Sequence, residues 1–149
     1  METLFQARVA EEIKSRAARL RPESERLWGK MTAAQAMAHC AISVEWALGD
    51  KVPPRMFLLS LLGRMVKPMA LGAKPLRRNS PTAPELVIAD GRDLDRERER
   101  LCGLIDRFAG GGPPVCTKHP HSFFGPLKPE EWARLMYKHL DHHLRQFGV

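Results

Sequence analysis

The chain has 149 residues, 44% of them hydrophobic and 28% charged, with 24 Lys and Arg against 17 Asp and Glu for a formal net charge of +7. That length fits a single domain spanning residues 1–149, and that composition excludes a disordered chain and gives no sign of a membrane span. Cys40, Cys102 and Cys116 stand at wide, irregular spacing without a CxxC pair, which argues against a disulfide framework and fits reduced thiols in the cytoplasm.

The opening METLFQARVAEEIKSR has acidic residues early and no apolar run before a cleavage site, so it does not read as a secretion signal. A first helix is expected from Thr3 to Leu20, where Leu4, Phe5, Val9, Ile13, Ala17 and Leu20 recur at steps of three and four. A second begins at Thr32, because Thr32-Ala33-Ala34-Gln35 has the form of a capping box, and should stop at Gly49. A third, Pro54 to Val66, is largely apolar but is interrupted by Ser60, Gly63 and Arg64. It is too short to span a bilayer and reads as a core helix ending before Pro68. Lys67 to Gly91, rich in Pro, Gly and Arg, reads as a long irregular loop, a class that includes functional lids.

The fourth helix is expected from Asp93 to Phe108, with Leu94, Leu101, Leu104, Ile105 and Phe108 as its buried stripe. The fifth starts with Lys128 as N-cap, Pro129 at the first helical position and Glu130 and Glu131 at the positive end of the dipole. Gly148 ends it. With no convincing strand, the expected fold is all-α: a four-helix bundle with an additional short helix. Helices 1, 2 and 5 are joined in the bundle by either the third or the fourth.

Helix geometry sorts the histidines. Trp132, Leu135, Met136, His139, His143 and Phe147 fall on one stripe of the last helix, opposite Glu131, Arg134, Lys138, Asp141 and Arg145. His139 and His143 are therefore one turn apart on the core side, a suitable separation for two imidazoles to share a metal ion. On the second helix Gln35, His39 and Ser43 form a polar stripe among alanines, facing either water or a polar site inside the bundle. Should it face inward, three neutral imidazoles would leave a coordination position open, as in catalytic rather than structural sites. The pair HxxxH without the glutamate of HExxH is not a zincin signature.

The run HLDHHLRQFG at residues 139–148 resembles the HxxHHxxQ-type ending of the DinB-like (DinB/YfiT-like) superfamily, whose last bundle helix carries two metal-ligand histidines. WGKMTAAQAMAHC at residues 28–40 is similar to its second-helix motif, and HPHSFFGPLKPEEW at residues 119–132 resembles the approach to the last helix in one branch. The adjacency of Arg145 and Gln146 departs from the pattern, which often places a glycine between them. The resemblance implies a DinB/YfiT-like bundle with His39, His139 and His143 as ligands of a divalent transition metal such as zinc, nickel or iron. It also implies hydrolase or thiol S-transferase chemistry on a small molecule, with a low-molecular-weight thiol among the candidate substrates, because characterised relatives include thiol-dependent transferases.

Around that site, Gln146, His142 and Gln35 are candidates to steady a ligand imidazole or a bound water, and the reacting group would be a metal-bound water or thiol. Cys116, His119 and His121 lack a fourth ligand and read as loop structure, with His119 and His121 as candidates for the pocket mouth. A non-catalytic binding or stress-response role with a vestigial or structural site is the alternative reading. Membrane partners are not expected. Nucleic acid is disfavoured, because much of the charge alternates in sign and the basic stretch Lys67, Lys74, Arg77, Arg78 has no interleaved aromatic residue. Phe123 and Phe124 are expected to close one end of the bundle or, if exposed, to help form a homodimer.

Overall fold

A computed structural model describes every residue from Met1 to Val149. Its helices are α1 (Ala7–Ala18), α2 (Ala33–Leu48), α3 (Phe57–Ala70), α4 (Leu94–Gly111) and α5 (Pro129–Gln146), with single 3-10 turns at Pro84–Leu86 and Pro113–Val115 and no strand. α1, α2, α4 and α5 pack around one core, so the fourth helix rather than the third completes the bundle.

The core follows from the apolar stripes. Val9, Ile13 and Ala17 of α1 meet Leu101, Leu104, Ile105 and Phe108 of α4, and Trp132, Leu135, Met136, Leu140 and Leu144 of α5 close the other side. Phe108 is fully buried, with its ring stacked on Phe5 at 5.0 Å. Burial of one such side chain stabilises the fold by about 1.5–3 kcal/mol. The alanines of α2 let its neighbours approach closely, and Met37, Val44 and Trp46 supply its bulk.

The starts of α2 and α5 are chemically fixed. Thr32 and Gln35 exchange side-chain and backbone bonds at 3.0 and 3.2 Å, the expected capping box. At α5 the Lys128 N–H donates to Glu131 Oε2 at 2.8 Å. α1 begins at Ala7, later than periodicity suggests, because the Leu4 N–H bonds the Ala133 carbonyl of α5 at 3.0 Å instead of entering a helix.

α3 departs from expectation in two ways. It is not a core helix: Gly63 is its single buried residue, while Phe57, Leu58, Met65 and Met69 face outward. It also continues through Pro68 to Ala70, where Lys138 of α5 donates to the carbonyls of Ala70 and Gly72 and fastens the last turn. Lys138, placed by periodicity on the polar face, is accordingly buried. Its stem covers apolar surface and its ammonium satisfies carbonyls left free at a helix end.

The stretch after α3 is irregular but anchored. Leu86 and Ile88 are buried, and the Asp90 carbonyl accepts from Gln35 Nε2 at 3.0 Å. The chain there is strapped along α2, which brings the Leu86 backbone beside His39.

Candidate metal centre

His39 of α2 and His139 and His143 of α5 come together inside the bundle, with one nitrogen from each lying within 4.8 Å of the others. They are the one group of three or more His, Cys, Asp or Glu side chains that converges in this way. The ring centroids are 4.6 to 4.8 Å apart. His39 and His143 are buried, and His139 keeps part of its surface accessible.

Hydrogen bonds on the outer edge of the cluster settle where the protons sit. His39 Nδ1 lies 2.8 Å from the Leu86 carbonyl, which can only accept, so Nδ1 carries the hydrogen and Nε2 a lone pair. Gln146 Nε2 donates to the Trp28 carbonyl at 2.8 Å, which turns its Oε1 toward His143 Nδ1, also at 2.8 Å. His143 therefore donates from Nδ1 and likewise presents Nε2 as a lone pair. Carbonyl groups on the far nitrogen of a histidine are the usual means by which a ligand imidazole is held in one tautomer and orientation.

His139 is different. Its Nε2 is 2.8 Å from His39 Nε2, and its Nδ1 is sealed from solvent with no partner. No carboxylate approaches the three rings to stabilise a proton among them. Burial pushes all three pKa values below the ordinary histidine range, that of His143 to about 3, with the neighbouring rings adding to the effect. At neutral pH the cluster is thus three uncharged imidazoles, which is the form that binds metal. A donor set of nitrogen alone fits zinc, nickel or iron.

Gly29 makes the support from Gln146 possible. It has φ +78°, and a Cβ there would lie 2.5 Å from Gln146 Nε2, so a side chain would displace the amide that holds His143. The Leu86 and Trp28 carbonyls are the supporting groups that sequence reading missed. As backbone atoms they carry no residue signature, although the glycine after Trp28 is a trace of the second.

The other candidates lie as follows. The side chain of Gln35 is occupied by the α2 cap and the Asp90 carbonyl, outside the cluster. His142 meets His143 edge-on at 5.1 Å and Trp28 at 5.4 Å, and helps line a cleft of about 220 Å³ with Leu76, Arg78, Asp141 and Arg145. His119 is exposed. His121 accepts the N–H groups of Phe123 and Phe124 on Nδ1 at 3.1 and 3.2 Å and packs on Trp132 at 5.4 Å. Burial lowers its pKa to about 4. Cys116, its thiol pushed up to about 11 by burial, does not join these histidines in a cluster.

A family model described as "Protein of unknown function (DUF1569)" matches residues 5–148. No curated protein and no solved structure shows a match.

Proposed function

The chain belongs to the DUF1569 family, and we propose that it is a metal-dependent enzyme of small molecules whose divalent ion is held by His39, His139 and His143. The observation that carries this reading is the convergence of one nitrogen from each of the three rings within 4.8 Å, with carbonyls on Nδ1 of His39 and His143 that leave each Nε2 a lone pair. Without an ion the His39 Nε2 lone pair accepts from His139 Nε2 at 2.8 Å, which sets these two nitrogens side by side.

A bound divalent ion would lower the pKa of a water or thiol toward neutrality and so supply a nucleophile. The chain's own contribution is orientation and water exclusion. Leu86 and Gln146 fix the tautomers of His39 and His143, and the burial of His39 and His143 keeps the inner side of the site dry. The accessible part of His139 is the side from which a small substrate would approach. The resemblance to DinB-like proteins supports hydrolase or thiol S-transferase chemistry, with a low-molecular-weight thiol as one substrate. Three free cysteines support a reducing, cytoplasmic setting.

Screening of metal-loaded, tag-free protein against ester and thiol substrates tests the enzymatic reading. Turnover should vanish in chelator and in His143→Ala and persist in His142→Ala. Binding of metal without turnover of either class would favour the alternative, a non-catalytic metal protein.

A further inference from the structure

The helix α3 has its polarity reversed for a surface helix. At about 100° per residue, Phe57, Leu58, Leu61, Leu62, Met65 and Met69 occupy an arc of about 140°. They are 74%, 80%, 53%, 54%, 79% and 70% exposed. The side turned to the protein carries Gly63 and Lys67 instead. A Cβ on Gly63 would come within 1.8 Å of the Phe123 carbonyl oxygen, and Lys67 Nζ bonds the Pro126 carbonyl at 3.0 Å and Glu131 at 2.9 Å. The helix is thus docked by its small and polar side, and its apolar side is presented to the outside. A contiguous apolar face of this kind marks an interaction surface.

Charge identifies what the surface fits. Residues 51–84 contain seven basic residues (Lys51, Arg55, Arg64, Lys67, Lys74, Arg77 and Arg78) and no Asp or Glu. Taking these from the 24 basic and 17 acidic residues of the chain leaves 17 of each, so the whole net charge of +7 resides in the segment that carries α3. Lys51 pairs with Glu45 and Lys67 with Glu131, whereas Arg55, Arg64, Lys74, Arg77 and Arg78 form no salt bridge. Arg55 precedes the apolar arc in sequence, Arg64 lies within α3, and Lys74, Arg77 and Arg78 follow it, Arg78 with its guanidinium over the Trp28 ring at 4.0 Å.

We propose that α3 and its basic flanks form a peripheral docking surface for an anionic lipid leaflet, with the apolar arc in the headgroup region and the unpaired cations on lipid phosphates. Large apolar residues beside Lys and Arg are what an interfacial helix requires. A second copy of the chain would cover the apolar arc but oppose two segments of the same strong positive charge. A nucleic acid would meet the cations and leave the leucines and methionines in water. An anionic leaflet satisfies both. No helix is long and apolar enough to cross a membrane, and a helix lying in the interface plane needs no such length. Composition, interruption by Ser60, Gly63 and Arg64, and short length argue against a span, and none of these bears on surface attachment.

Vesicle flotation of the full-length, metal-loaded protein tests the proposal, using phosphatidylglycerol-containing vesicles against pure phosphatidylcholine vesicles. Binding should be strong on the former, weak on the latter and reduced by salt. Arg77→Ala and Lys74→Ala should each weaken it about fivefold, the expected effect of one cation near a charged leaflet. Leu58→Glu/Met65→Glu should abolish flotation while leaving melting temperature and metal content unchanged, since both side chains are exposed. Equal recovery on the two vesicle types, or no flotation at all, would overturn the proposal. So would a dimer in analytical ultracentrifugation that Leu58→Glu/Met65→Glu dissolves.

Discussion

Replacing Gln146 with Met tests how the candidate centre is built, because it keeps the side-chain length and removes both amide bonds. Gln146 is 2% exposed, so neither His143 Nδ1 nor the Trp28 carbonyl would find water in its place. An unsatisfied buried group costs about 1–3 kcal/mol, so the two together should cost about 2–6 kcal/mol of stability. At about 2–4 °C per kcal/mol, the metal-free variant should melt well below wild type. Loss of an outer partner of a ligand histidine also weakens metal binding about 10- to 100-fold. Competition between protein and a chromophoric chelator measures that change independently of melting. Gln146→Glu separates the two contributions: its carboxylate can still accept from His143 Nδ1 but cannot donate to Trp28. Metal affinity should therefore recover while stability does not. An unchanged affinity in Gln146→Met would refute the claim that this amide holds a ligand in position.

Further outcomes follow from the same contacts. The depressed pKa values of His39, His121, His139 and His143 mean that the unfolded chain binds more protons than the folded one below the ordinary histidine range. Their contribution to stability is complete above about pH 6.5 and is lost as pH falls toward the folded values, at up to about 1.4 kcal/mol per pH unit for each group. Melting of chelator-treated protein between pH 5 and 6.5, above most carboxylate titration, should show this decline, and a flat profile would contradict it. Gly29→Ala should lower both melting temperature and metal affinity, because its Cβ would occupy the place of Gln146 Nε2. If affinity held while stability fell, Gly29 would matter to the turn alone. Lys138→Met should free the end of α3, raising amide exchange at residues 69–72 with a stability loss of about 1–3 kcal/mol and no loss of metal.

Much of the bundle was legible because α1, α2, α4 and α5 each carry an apolar stripe at helical spacing, and because Thr32-Gln35 and Lys128-Glu131 mark their helix starts chemically. The pairing of His139 with His143 was legible from the inward stripe of α5. Because α2 is buried almost all round, periodicity left the His39 stripe open to water or the interior, and the family resemblance alone joined it to the pair. α3 was misread, since a run such as FLLSLLGRMV has the same composition whether its leucines fill a core or face outward. Only its docking through Gly63 distinguishes the two. The support of His39 by Leu86 was hidden, because the contact is made by a backbone carbonyl 47 residues away in an irregular segment. Lys138 was assigned to the polar face because periodicity records where a side chain starts and not how far its stem reaches.

In the proposed metal centre three neutral imidazoles, and no other cluster, hold one divalent ion. Its most direct test is the metal content of tag-free protein after equilibrium dialysis against zinc, for wild type, His39→Ala, His139→Ala, His143→Ala and His142→Ala. One equivalent is expected in wild type and His142→Ala, with a large loss in each of the other three. Equal metal content in wild type and His143→Ala would contradict it and leave the three histidines as polar core residues.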